Sequence, residues 1–542
     1  MSNGLEEKRR AAVEAILRSS SRKRVIVAGP GTGKTSLFRE LLEQRKAGKD
    51  RSLILTFINN LKDELERDLG HLAQVFTFHG YCRHLLHRIA ELRHGLSEDF
   101  RYFPALVTII KRDWELEREG EAPQFVGLMR EAVKGGELDF YVRRADYYDA
   151  VSFDDSVYRV WRGFEEQPKL VSEYDLSLVD EYQDFNLLEA SFIDLLAVRS
   201  AMLIAGDDDQ ALYVNLRGST PRFIRGLWAG GEYESFGLPY CMRCTAPIIG
   251  AVGDIVRRAQ ERGKLRDRVA KEYEFFPPAK GADSDRYPRI KVVETSVQRK
   301  SVNYLGRYIE QQLHAILPEE IAQSHEGRYP TVLIIGPGQY LRQVQDHLEG
   351  CGYEVQVAEG SDPFEFDRED GLQLLREQAN GSLGWRVILE VDQPEFYRDV
   401  MLGALGEERP LVELLPEVYR DRIWAEARAE GDGKESDSQT KAPREQAQDR
   451  PTIRMTSFEG SKGMSAQHVF ILGLQDGDLP RSRESIDDLE ICRFLVAITR
   501  TRKQCHLMYT RNWGGEWKKP SIFIEWIEQE RVEFIRVDKD YW

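Results

Sequence analysis

The stretch "RKRVIVAGPGTGKTSLFRELLEQ", Arg22 to Gln44, decides the fold. It runs from a β-branched strand through a glycine-rich turn into a helix with apolar residues at Leu37, Leu41 and Leu42, the change of period that marks a strand, loop and helix. The same alternation returns in "RSLILTFINNLKDELERDL" and in "VFTFHGYCRHLLHRIAEL". Repeated strand-then-helix units predict a parallel sheet flanked by helices, an α/β architecture.

Within the turn, Gly29, Gly31 and Gly33 let backbone N–H groups close around phosphate oxygens, and the helix that follows adds its positive end. Lys34 is placed to reach the β and γ phosphates and the Thr35 hydroxyl to ligate Mg²⁺, with Thr32 and Ser36 completing the loop. A second stretch fits this reading. "EYDLSLVDEYQDFNLLE", Glu173 to Glu189, ends a half-apolar strand in Asp180, Glu181 and Asp184. Carboxylates crowded at a strand end repel one another unless a cation or a wet cleft offsets the cost. A nucleoside triphosphate with Mg²⁺ supplies that cation, with Asp180 holding the metal and Glu181 polarising the attacking water.

At 542 residues the chain is long enough for two to four domains. With 41% hydrophobic and 31% charged residues it reads as globular. No apolar run has signal-peptide or membrane-span form, so a cytoplasmic location and no membrane partner are expected. Six scattered cysteines make no disulfide framework, and the single C-x-x-C of "CMRC" would need two more ligands to hold zinc. The net charge of −15 argues against nonspecific coating of nucleic acid but leaves a locally basic channel open.

From Leu92 to Lys169 the sequence turns long, charged and helical, an insertion into the first α/β unit. Strands and helices resume near Leu238, including the strand, helix and strand of Pro330 to Gly360. The polar stretch Ala427 to Arg450 lacks periodicity and reads as a disordered linker.

Eight motifs then stand in order from residue 28 to residue 502: the phosphate loop, "LTFINN", "FTFHGYCRHLL", "VDEYQD", "AGDDDQALYVNLRGS", "LPYCMRC", "SFEGSKGM" and "LVAITRTR". This combination resembles the UvrD/Rep/PcrA family of superfamily 1 DNA helicases. The resemblance implies two RecA-like P-loop NTPase domains, one from 1–90 and 170–237 with a helical insertion at 91–169. The other spans 238–360 and 451–542, with a reduced insertion at 361–450 that contains the 427–450 linker. It implies an ATP- and Mg²⁺-dependent translocase or helicase moving 3′ to 5′ on single-stranded DNA, or on DNA with a single-stranded tail, in repair, recombination or anti-phage defence. Gln210 matches the γ-phosphate sensor, Arg243 and Arg500 match arginines that reach across from the second domain, and Gly463 joins the nucleotide-binding set. Thr56, Phe57, Asn59, Thr77, Phe78, His79, Arg217 and Ser457 match positions that contact the DNA strand.

The sequence also departs from the family pattern. Arg9 stands where the family has a glutamine that reads adenine, and Met242 where an aromatic stacks on the base, which leaves ATP and GTP both open. Asn215 and Leu216 replace an aromatic before the Arg-Gly, and Ser457 and Glu459 replace Thr and His. The competing expectation is a nucleotide- and DNA-sensing subunit that controls a partner such as a nuclease, with little motor output.

Overall fold

The computed structural model describes residues 2–45, 48–118, 120–299, 302–357, 364–407, 409–434 and 450–542. Six strands form the first sheet: β1 (Lys23–Val27), β2 (Ser52–Thr56), β3 (Gln74–Thr77), β4 (Leu176–Val179), β5 (Met202–Gly206) and β6 (Glu234–Phe236). Their order is β3-β2-β4-β5-β1-β6, and every pairing is parallel. Strands covered on both faces read as continuous apolar runs, and β2, β4 and β5 are buried at every residue. Because all six run the same way, the residues that follow β1, β2, β3, β4 and β5 emerge along one edge, where an open parallel sheet places its ligand site.

Seven strands form the second sheet: β7 (Ile290–Thr295), β8 (Val332–Ile335), β9 (Val355–Val357), β10 (Ile453–Thr456), β11 (Ala466–Ile471), β12 (Thr501–Thr510) and β13 (Val532–Val537). The order is β9-β10-β8-β11-β12-β7-β13, again parallel throughout. The strand, helix and strand expected around 330–360 are β8, the helix Gly338–Gly350 and β9. Two RecA-like α/β domains result, each a parallel sheet with helices on its faces.

The chain between β3 and β4 is mainly helical, with helices Leu106–Arg118, Gly136–Tyr147 and Phe153–Glu166. Helices Arg368–Glu377, Ser382–Asp392, Tyr397–Glu407 and Glu417–Lys434 form a second helical unit. Both units share one apolar core in which Ile109, Phe140, Trp385, Ile388, Met401 and Ile423 are buried together. The expected linker is corrected in its first part: the helix Glu417–Lys434 carries the chain through 427–434. The apolar stripe Tyr419, Ile423 and Ala427, buried against this core, drives it. The remainder, 435–449, lies outside the described residues.

Candidate functional site: a nucleotide cleft between the two domains

The loop after β1 turns through two glycines in the left-handed region, Gly31 (φ 72°) and Gly33 (φ 94°), a conformation that costs other residues a Cβ clash. Thr32 Oγ1 donates to the Gly29 carbonyl at 2.8 Å and tightens the turn. The helix Lys34–Arg45 then starts at the lysine, anchored by buried Leu37, Phe38, Leu41 and Leu42. Lys34 Nζ donates to the Ala28 carbonyl at 3.2 Å, folded back over the loop.

Around this loop lies a cleft of about 380 Å³. Gly31, Thr32, Gly33, Lys34, Thr35 and Ser36 line it together with Asp180, Glu181, Gln210, Arg243, Gly463 and Arg500. Gly29 instead lines an adjoining cavity behind the loop. The second domain closes the cleft by direct contact. Met242 N–H donates to the Gly31 carbonyl at 2.9 Å. Arg500 Nη2 donates to Gln210 Oε1 at 2.8 Å.

Asp180 and Glu181 follow β4. Burial, then the neighbouring Glu181, pushes the Asp180 carboxyl up to about 6. Burial would raise Glu181 as well, but Lys462 above all, and then Lys34, bring it down to about 2. Lys462 Nζ lies 3.3 Å from Glu181 Oε2, bonds Asp184, and donates to the Gln210 carbonyl at 2.8 Å. Asp184 is thus consumed by the lysine of the second domain, which answers why three carboxylates crowd this strand end. Asp180 and the Thr35 hydroxyl both line the cleft and together form a hard oxygen donor set that fits Mg²⁺. Glu181 itself adopts φ 55° and ψ 36°, strain of about 1–3 kcal/mol for a residue with a side chain. Gln183 Nε2 steadies its carboxylate at 2.6 Å.

Sequence reasoning gave no role to Lys462, nor to Arg502 and Glu64, which also line the cleft. Burial and then Arg243 lower the Arg500 guanidinium to about 10, and the same two causes lower Arg502. Three arginines thus converge on one cleft, an arrangement that favours an anion. Met242 lines the cleft. Arg9 lies outside it, in a depression with Glu6, Glu7, Arg10 and Glu40.

The strand-contact positions divide. Thr56 and Phe78 are fully buried, Phe78 packing edge-on against Phe185 and Phe192. In this conformation both side chains are part of the core. His79 is buried too, stacked on Phe153 with ring centroids 3.6 Å apart and within 3.2 Å of Arg217. Burial and then Arg217 hold its imidazole well below the ordinary range, hence neutral. Thr77 caps the helix Phe78–Arg88 by accepting from Gly80 N–H at 3.1 Å. Phe57 is half-buried beneath the Arg217 guanidinium, 4.0 Å from ring centre to Cζ. Ser457 is exposed. Asn59 opens the helix Asn59–Leu69. Glu459 pairs with Arg493 at 2.7 Å. Cys241 and Cys244 are free, buried and bonded to each other through Cys244 N–H and Cys241 Sγ at 3.5 Å.

A phosphate loop on one RecA-like domain, faced by arginines and a lysine from another, defines a two-domain P-loop NTPase. Residues 9–216 match a protein family described as an AAA domain. The chain is similar to the ATP-dependent DNA helicase PcrA of Staphylococcus epidermidis, 25% identical over 307 residues that cover 48% of this chain and 41% of the relative. It is similar also to that of Staphylococcus aureus, 25% identical over 285 residues, 44% of this chain and 38% of the relative. The match therefore spans about two-fifths of the length of these curated relatives. With its ordered motifs and paired RecA-like domains, the chain is similar to PcrA-type DNA helicases. Among the described residues no helix is long and apolar enough to cross a membrane.

Proposed function

We propose that the chain is an ATP-driven motor on single-stranded DNA, hydrolysing nucleotide in the interdomain cleft and coupling closure to movement, 3′ to 5′ by family resemblance. We take 1–90 with 170–237 and 238–360 with 451–542 as its two working domains. The observation that carries this reading is the contact of Arg500 with Gln210 across the cleft, which makes the catalytic set complete only when the domains close.

In this mechanism the loop N–H groups and Lys34 hold the β and γ phosphates. Thr35 and Asp180 would hold Mg²⁺, which when bound would neutralise charge on the phosphates. Glu181, kept ionised by Lys462, orients a water and takes its proton as the water oxygen bonds the γ phosphorus and the β–γ bridging bond breaks. Arg243 and Arg500 stabilise the charge on the transferring group, and arginines so placed are typically worth ~10³–10⁵ in rate. Release of phosphate removes the anion that holds the cleft arginines, and the domains are free to part. Repair, recombination or defence, and a nuclease or other protein partner, are settings that fit such a motor.

One observation favours a second reading, a nucleotide-switched regulatory subunit with little motor output. Thr56, Phe78 and His79 are sealed in the core and leave a sparse stacking track, whereas base stacking on exposed aromatics carries much of sequence-tolerant strand binding. Steady-state hydrolysis of ATP and of GTP, with and without single-stranded DNA, separates the two. Strong stimulation by DNA supports the motor. Nucleotide binding without DNA-stimulated turnover supports the switch.

A further inference from the structure

Three consecutive carboxylates, Asp207, Asp208 and Asp209, follow β5 and are all buried. Their oxygens converge as ligands around a cation would, and the position is filled by a side chain of the other domain. Lys271 Nζ lies 2.8 Å from Asp207, 2.5 Å from Asp208 and 2.7 Å from Asp209. Arg268, from the same second-domain segment, grips Asp209 at 2.7 Å. Val269 N–H donates to Asp208 at 2.8 Å. Arg225 of the first domain adds a bond to Asp208 at 2.9 Å. Three carboxylates thus meet three cations, two of them from across the cleft.

This cage touches the catalytic set through Asp207. Gln210 Nε2 donates to Asp207 Oδ2 at 2.6 Å, and Gln210 Oε1 in turn accepts from Arg500. Asp207 N–H donates to Gln183 Oε1 at 3.0 Å, and Gln183 Nε2 donates to Glu181 Oε2. One carboxylate therefore sets the direction of the γ-phosphate sensor, and its backbone sets the glutamine that steadies the water-orienting glutamate. Tyr273, two residues past Lys271, donates its hydroxyl to the Pro30 carbonyl at 2.9 Å and braces the back of the phosphate loop.

We propose that Lys271 is a positioning residue for hydrolysis: reaching in from the second domain, it fixes Asp207 and so aligns Gln210 and Glu181 only when the cleft is closed. The inference rests on the hydrolytic reading above and assigns the closing signal to a segment outside the eight motifs. Lys271 does not line the nucleotide cleft but the adjoining cavity behind the phosphate loop. Its effect falls on turnover rather than on nucleotide affinity, because a group misplaced by about 1 Å can lose ~10²-fold in rate.

The test uses the full chain with saturating single-stranded DNA, comparing kcat, KM and the affinity for a fluorescent ATP analogue. Lys271→Gln is expected to lower kcat by about ten- to a hundredfold, with analogue affinity within about threefold of the parent. Lys271→Arg, which keeps the cation, is expected to recover most of the rate. Lys271→Gln leaves a buried negative charge uncompensated and lowers stability. The double variant Asp208→Asn with Lys271→Gln removes that excess and is expected to regain the melting temperature without regaining kcat. Recovery of kcat together with stability would reduce Lys271 to a structural ion pair, and an unchanged kcat in Lys271→Gln would overturn the proposal outright. A parent protein that hydrolyses no nucleotide would instead defeat the hydrolytic reading, and this inference with it.

Discussion

Glu181 shows how one residue is prepared for its chemistry. Its left-handed backbone lifts the carboxylate off the end of β4, Gln183 holds it from one side and Lys462 from another. The lysine keeps the acid ionised, the state needed to accept a proton. Glu181→Gln keeps the shape and removes the base. It is expected to lower steady-state phosphate release by ~10²–10⁴-fold while a fluorescent nucleotide titration stays close to the parent. Lys34 and Glu181 were singled out because each belongs to a short string whose spacing suggests its chemistry, and Gln210 and Arg500 because they match positions in the motifs of a family the chain resembles. Lys462 was not, although it stands inside a motif, because its partners Asp184 and Glu181 lie some 280 residues earlier and no local pattern tells where a lysine points. The same limit applied in reverse to Phe78 and Thr56, whose neighbours suggested an exposed strand track and whose side chains are sealed.

Among elements, the apolar strands β1, β2, β4, β5, β8 and β11 were the most legible, whereas β6 and β13 carry no continuous apolar run to mark them. The helix Glu417–Lys434 was missed over its last turns. Its final residues are polar and contain glycine, and only the stripe that begins upstream at Tyr419 reveals the period. The helix Pro318–Glu326 illustrates how an element is fastened to a sheet. Glu320 in its first turn bonds His468 on β11 at 2.8 Å, Tyr287 at 2.7 Å and Lys503 on β12 at 3.3 Å. Burial would raise its carboxyl, but the bond from His468, that ring's charge, then Tyr287 and Lys503 hold it down to about 2. A carboxyl depressed in the folded state stabilises above the ordinary carboxylate range and loses that contribution as pH falls toward its folded value. Glu320→Gln is therefore expected to unfold earlier than the parent at neutral pH, by about 3 kcal/mol. The gap should close between pH ~4.5 and ~2, as read by denaturant titrations across that range.

At the scale of the whole molecule, the two helical units are joined more firmly than the order of the sequence suggests. Asp113, fully buried, accepts from Arg144 at 3.1 Å, from Tyr148 at 2.6 Å and from Arg386 at 2.9 Å. Arg386 comes from the far unit, 273 residues away, and is equally buried. The reduced insertion of the second domain thus rests on the insertion of the first. The sequence pointed to a helical insertion in the first domain and a reduced insertion in the second and could not show their union, because no periodicity records which faces meet. Removing one member of a buried pair strands the other, so Arg386→Leu is expected to cost about 3 kcal/mol. Limited proteolysis should then cut between the helices of residues 368–434 sooner than in the parent. A last consequence follows from Gly31. A Cβ there would stand 2.5 Å from the Arg243 Cβ, and the Gly31 carbonyl already takes the Met242 N–H. At this point the two domains therefore meet through a main-chain hydrogen bond, beside the side-chain contacts made elsewhere in the cleft. In the motor proposed above, closure would end at this backbone contact.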